Sequence, residues 1–148
     1  MEKLKFLNSK DIKKINQSLK DQFGIELNKD KAYLISEKNR LYMVNKDIQK
    51  INDLRFDSAG LYIGTFENNL FRFSIEGTQI FGHFIKQNVV EINEDLFNQW
   101  ISGKDIEIET EFKGPVIIKH KKDFCGCGIS KNNIILNYVP KERRSNFN

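Results

Sequence analysis

The 148 residues predict an α+β protein built as two small domains. Three observations carry this. Apolar residues recur at helical spacing near the start and again near residue 96, and short β-branched and aromatic runs separated by Asn-rich turns read as antiparallel hairpins. The third observation is charge: from Lys113 onward there are eight Lys and Arg against two Asp and Glu, while the earlier residues hold sixteen against eighteen, so the net charge of +4 is −2 followed by +6. Such a local excess is the electrostatic footprint of a surface that meets phosphates. A hydrophobic share of 39% and a charged share of 30% fit a globular chain with a core, long enough for one domain or two that share an interface. The pattern changes near residues 84–88 without a flexible linker, which divides the chain into 1–86 and 87–148, and no internal repeat is evident.

In the first half, Ile12, Ile15, Leu19 and Phe23 are spaced by three and four residues, with Asn8 or Ser9 as N-cap and Gly24 just past the end. This predicts an amphipathic helix whose polar side, with Lys10, Lys13, Lys14 and Lys20, is a solvated face rather than a phosphate contact. Strands over 32–36 and 40–44 flank a turn at Glu37-Lys38-Asn39, and a short helix is expected over 46–51, capped by Asn45 with Ile48 and Ile51 inward. A second hairpin joins 61–66 to 70–73 through Glu67-Asn68-Asn69, and Ser74 caps a short helix reaching Phe81 or Gly82.

In the second half, Val89, Val90 and Ile92 form a strand, and Asn93 caps a helix begun by Glu94 and Asp95. Leu96, Phe97, Trp100 and Ile101 are its inward stripe, and Gly103 ends it. Between 105 and 112 acidic and apolar residues alternate, which predicts a half-buried strand showing Asp105, Glu107, Glu109 and Glu111 to solvent. Alternate positions fan out rather than converge, so these carboxylates protect a sheet edge instead of holding a cation or doing acid–base chemistry. Val116-Ile117-Ile118, a basic turn at Lys119-His120-Lys121-Lys122, a return over 124–129 and a last strand over 134–139 complete a small mixed β-barrel carrying one helix.

Strand alternation in Cys125-Gly126-Cys127-Gly128 puts both thiols on one face and bare glycine backbone on the other, open to a base, sugar or phosphate or else relieving crowding in a small barrel. The thiols are too close together for a structural disulfide, and with no orienting third group beside His120 they read as packed, free cysteines rather than nucleophiles. Two histidines, His83 and His120, do not make a metal site, and neither a GxxxxGK[ST] loop nor a GxGxxG turn is present, so no cofactor is expected. No apolar run reaches bilayer length and the N-terminus lacks a signal peptide's apolar core, so the expectation is a cytoplasmic protein without a membrane partner.

The run Asp123-Phe124-Cys125-Gly126-Cys127-Gly128, followed by Leu136-Asn137-Tyr138-Val139-Pro140-Lys141-Glu142-Arg143-Arg144, resembles the closing signature of a PUA-like domain. That domain ends Sun/RsmF-type RNA cytosine methyltransferases and occurs in stand-alone archaeal proteins. Gly60-Leu61-Tyr62-Ile63-Gly64, Ser74-Ile75-Glu76-Gly77 and Trp100-Ile101-Ser102-Gly103-Lys104 are similar to the stand-alone proteins, and the first half resembles the companion domain that precedes PUA in ribosome-biogenesis factors.

The resemblance implies an N-terminal pre-PUA-like mixed α/β domain, a PUA-like barrel, and no room for a methyltransferase domain. It implies a non-catalytic protein that recognises structured rRNA or tRNA by backbone and shape, in ribosome biogenesis or RNA modification. By the PUA pattern, contacts fall at Gly103 and Lys104 and on the last strand and tail, at Tyr138, Lys141, Arg143 and Arg144. The basic turn of Lys119, His120, Lys121 and Lys122 and the glycines Gly126 and Gly128 complete the candidate set. An alternative is an adaptor docking an RNA-modifying enzyme or pre-ribosomal protein through the N-terminal domain, with Tyr33, Tyr42 and Tyr62 at the interface.

Overall fold

The computed structural model describes residues 3–46 and 60–144, so the helix expected over 46–51 falls outside the described residues. The first sheet is antiparallel, with β1 (Leu4–Phe6), β2 (Lys31–Ser36), β3 (Arg40–Asn45), β4 (Leu61–Glu67) and β5 (Leu70–Phe73) lying side by side in chain order. β1 was not expected; three residues of a lysine-rich terminus are too short to show a period, and pairing with β2 alone makes them a strand. Helix α1 (Ser9–Phe23) buries Ile15, Leu19 and Phe23 against the sheet. Asn8 is its cap: the side chain accepts from Asp11 N–H at 2.9 Å while the Asp11 carboxylate accepts from Asn8 N–H, satisfying two orphan donors at once. Both turns of the hairpins follow the sequence, with Asn39, Asn68 and Asn69 at positive φ, a conformation Asn tolerates well.

β5 is an edge strand, and α1 guards it. The Gln22 side chain donates to Phe71 O and accepts from Phe71 N–H, both at 2.9 Å, as a neighbouring strand would. Helix α2 (Ile75–Phe81) follows, capped by Ser74, whose hydroxyl oxygen accepts from Gly77 N–H at 3.0 Å.

The second sheet is mixed. It comprises β6 (Val89–Glu91), β7 (Ile106–Glu107), β8 (Gly114–His120), β9 (Asp123–Lys131) and β10 (Ile134–Leu136), ordered β6-β8-β9-β10-β7, with β6 parallel to β8 and the other pairs antiparallel. Helix α3 (Glu94–Ile101), capped by Asn93, plugs it with Trp100, which is fully buried among Val116, Ile118 and Ile135. Leu96, Phe97 and Ile101 pack around it partly exposed.

Three local expectations are corrected. The alternating acidic run makes a strand only at Ile106–Glu107, on the sheet edge; beyond it Ile108 N–H donates to Asn133 O, Thr110 N–H to Asn133 Oδ1 and Phe112 N–H to Thr110 Oγ1, so turn and side-chain acceptors replace a ladder. The last strand stops at Leu136, because Asn137 turns the chain aside. Its Nδ2 donates to Trp100 O and Lys104 O at 2.7 and 2.9 Å, while its backbone N–H donates to Asp105 Oδ1 at 2.8 Å.

The third correction lies in Cys125-Gly126-Cys127-Gly128. Ile117 pairs with Cys127 and Lys119 with Phe124, so Ile118 faces both Cys125 and Gly126: β9 carries one extra residue, a β-bulge, with Gly126 at φ 104. The bulge breaks alternation. Cys127 enters the core of the first domain beside Phe73 and Phe71, whereas Cys125 packs on the core around Trp100. Both thiols are free. The glycines do not form an open face either: Gly128 is buried, and a Cβ there would lie 2.8 Å from Trp100 and 2.5 Å from Ile135. Crowding relief is therefore its role.

The bulge also explains how the halves meet. Ile117 and Cys127 of the second sheet belong to the core that contains Leu19, Phe23, Leu41 and Ile63, and α2 lies between β4 and β9. The second sheet thus contributes Ile117 and Cys127 to the first domain's core while keeping a core of its own around Trp100.

Candidate functional site

Apart from Gly126 and Gly128, the candidate residues fall into two groups, one at each end of α3, a helix about 12 Å long. At its N-terminal end is the β8–β9 turn. Lys121, at φ 55, and Lys122 are exposed there, and Lys121 Nζ lies 3.9 Å from Glu94. Lys119 and His120 belong to β8 rather than to the turn. Lys119 Nζ sits 5.5 Å from the Phe124 ring centroid. His120 is buried at 7% exposure, its Nε2 2.9 Å from the Glu94 carboxylate and its ring stacked at 4.1 Å on Phe97. It braces the start of α3 and presents no surface to a ligand.

At the C-terminal end, the loop after α3 and the tail form one surface. Gly103, at φ 95, lies beneath the Arg144 side chain, and a Cβ at this position would sit 2.4 Å from Arg144 Cδ. Arg144 Nε in turn donates to Val139 O at 3.0 Å. Asn137 clasps the same loop through Lys104 O, leaving the Lys104 side chain exposed. The tail closes in a short 3-10 turn, Lys141–Arg143, whose residues all face solvent.

From this surface the tail leads into a cleft of about 580 Å³ between the two sheets. Tyr138, Gly126 and Arg143 line it from the second domain, and Lys38, Arg40, Tyr62 and Arg72 from the first. The Arg72 guanidinium carbon lies 4.0 Å above the centroid of the Tyr138 ring, close enough for a cation–π contact. Arg143 Nη1 donates to the Glu76 carboxylate, joining tail to α2. On the floor, Gly126 N–H donates to Thr78 Oγ1 at 3.1 Å, and on the far side of the bulge Trp100 Nε1 donates to Cys125 O at 2.8 Å. The backbone groups that the bulge frees from the ladder are thus satisfied by one side chain from α2 and one from α3.

Sequence reasoning missed the first domain's share of this cleft. Arg72 alternates with Phe71 and Phe73 on β5, so its outward direction was legible, but nothing local shows that Tyr138 stands over it. Burial pushes the Cys125 thiol up to about 11, with the Asp123 carboxylate adding to it, and the Cys127 thiol up to about 12, so neither is set up as a nucleophile. Among the described residues no three of His, Cys, Asp and Glu gather to hold a metal ion, and no helix is long and apolar enough to cross a membrane.

A helix-and-hairpin domain shares its core with a small mixed sheet that is plugged by one helix and followed by a basic tail, an arrangement consistent with a pre-PUA domain followed by a PUA domain. The chain carries those two domains in that order: residues 4–75 match the family model described as NIP7/UPF0113, pre-PUA domain, and residues 87–145 match that of the Methyltransferase RsmF PUA domain. Among curated proteins it is similar to the Ribosomal RNA small subunit methyltransferase F of Vibrio vulnificus, 26% identical over 128 residues, and to that of Aliivibrio fischeri, 21% identical over 135. These alignments cover 86% and 91% of this chain but 27% and 28% of the relatives, so the chain spans about a quarter of their length. The archaeal side of the resemblance has no counterpart in these relatives.

Proposed function

We propose that this protein is a cytoplasmic, non-catalytic RNA-binding protein that recognises structured ribosomal or transfer RNA by backbone and shape, in ribosome biogenesis or RNA modification. One observation carries the reading: Gly103, Lys104 and Arg144, drawn from a loop and a tail far apart in sequence, are held as one surface by Asn137 and Val139. Lysine and arginine there neutralise phosphates, and RNA helices are read chiefly through shape and 2′-hydroxyls. Lys121 and Lys122, about one helix length away, supply a second phosphate contact on the same domain. The match of both halves to a pre-PUA and a PUA model supports it, as does the likeness to relatives named for ribosomal RNA.

The two family matches take up residues 4–75 and 87–145, and the aligned stretch is 27% of the Vibrio vulnificus relative. The expected result in calorimetry is no heat of binding for S-adenosylmethionine; micromolar binding overturns the non-catalytic reading. For RNA, titration of a structured rRNA fragment at several salt concentrations should give an affinity that falls steeply with salt.

A second reading, docking of an RNA-modifying enzyme or pre-ribosomal protein through the first domain, draws on Phe84, 67% exposed beside His83. Tyr33 does not serve it, being buried with its hydroxyl donating to Asn28 O. Co-purification of a protein that persists at high salt while RNA is lost favours this reading.

A further inference from the structure

We infer that the cleft between the two domains holds a single unpaired nucleotide of the bound RNA, its base stacked on Tyr138. The inference rests on the RNA-binding reading above and assigns a part of that contact to both domains.

Charge separates this cleft from the basic surface beside it. Its lining includes Lys38, Arg40, Arg72 and Arg143 against Glu67, Glu76 and Glu142, and Arg143 and Glu76 are joined to each other. A run of duplex phosphates calls for a clear positive excess, which a near-neutral cleft does not offer. A nucleobase calls for something else: a flat π face, and polar groups that meet its edge.

Both are present. Tyr138 is 44% exposed, large for an aromatic ring beside a core, and it lines the cleft. Arg72, half-buried on β5, holds one face of the ring, its guanidinium carbon 4.0 Å from the centroid, so a base would stack on the opposite face. The paired hydroxyls of Tyr62 and Thr65, 2.9 Å apart, line the same walls, together with the carboxylates of Glu67 and Glu142. At about 580 Å³ the space is that of a small-molecule site. A paired base stays in its stack and cannot reach the ring, so the occupant is a bulged, looped or terminal nucleotide.

The test uses two RNA hairpins identical except for one bulged nucleotide, with 2-aminopurine in the bulge. The wild-type chain should bind the bulged RNA about tenfold more tightly than the paired one, with a change in 2-aminopurine fluorescence. Tyr138→Ala should remove most of that preference by weakening the bulged hairpin far more than the paired one; Tyr138→Phe should keep it, and Arg72→Met should reduce it. Equal wild-type affinity for the two hairpins overturns the inference, as does a loss in Tyr138→Ala that is the same for both, which assigns the ring to backbone contact. Where Tyr138→Ala does not fold, the wild-type ratio and Tyr138→Phe decide the matter. Binding to neither RNA defeats this inference and the RNA-binding reading together, whereas salt-sensitive binding to both without preference defeats this inference alone.

Discussion

Thr78 Oγ1 stands 3.1 Å from the backbone N–H of Gly126, so a helix of the first half supplies the acceptor that a strand of the second half lacks. Thr78 is fully buried, and its own hydroxyl donates to Ile75 O at 2.7 Å. Thr78→Val keeps the shape and removes the acceptor. Leaving a buried N–H unpaired costs about 1–3 kcal/mol, so urea denaturation should show a loss of that size. A stability equal to wild type means the bulge finds another acceptor and refutes the assignment.

Gly126 at φ 104 lies where side chains are strained, although among the described residues an added Cβ would meet only Ile75, at 3.3 Å. Gly126→Ala should therefore destabilise by roughly 1–3 kcal/mol through backbone strain rather than collision. Gly128→Ala should be worse, because Trp100, Ile135 and Leu136 O crowd that position. The melting temperatures of the two variants give the order directly.

Cys125 and Cys127 are expected to resist iodoacetamide at pH 8 in the native protein, Cys127 more than Cys125, and to react freely in denaturant. Mass spectrometry of the labelled chain reads this. The thiols of the folded chain are raised from 9.0 to about 11 and about 12, mainly by burial. Below pH 9 they are protonated in both states and cost nothing. As pH climbs from 9 toward 11–12 the unfolded chain ionises first, so the urea midpoint should decline across that window.

Replacing Arg143 and Arg144 with Ala should weaken binding to structured RNA by ~1–3 kcal/mol in total and flatten the plot of log affinity against log salt by ~1–2 units. Read from sequence alone, the pair is an RNA contact. The structure gives it one, since Arg143 meets Glu76 and Arg144 meets Val139 O, so a modest stability loss is expected beside the affinity loss. The ion pair is partly exposed, at 43% and 35%, and is worth about 0–1 kcal/mol. A lowered melting temperature with an unchanged salt slope would leave the arginines a purely structural role.

Gly103→Ala tests the same surface from below. The methyl group has no room beneath Arg144 and the φ of 95 opposes it, so Arg144 should be displaced and RNA affinity reduced without any change in charge. Unaltered RNA affinity in a folded Gly103→Ala variant would separate the loop from the site.

Much of this was readable from residue order. The α1 and α3 caps, the Asn turns and the pairing of adjacent hairpins depend on residues within a few positions of one another, and the physics that sets them is equally local. The bulge was not, because one extra residue in β9 shows only in its register against β8, and that register sent Cys125 and Cys127 into different cores. Alternation from 105 to 112 outlasted its ladder for a related reason: the strand needs a partner, and β10 is three residues long. The cleft was hidden for the same cause at larger scale. Arg72 and Tyr138 meet only after both sheets have formed, whereas the basic tail could be counted directly from the sequence.

The presence of Ile117 and Cys127 in the first domain's core bears on how a ligand is met. Two lobes joined by a hinge would have to close on an RNA and give up their relative freedom at that moment. Here that freedom is already lost when the chain folds, so the spacing between Arg72 on one lobe and Tyr138 on the other is preset like the jaws of a fixed gauge. On the RNA-binding reading proposed above, selectivity then falls to the RNA: a transcript whose loose nucleotide lies at the wrong distance from its phosphate grip would not be accommodated by the protein bending to reach it.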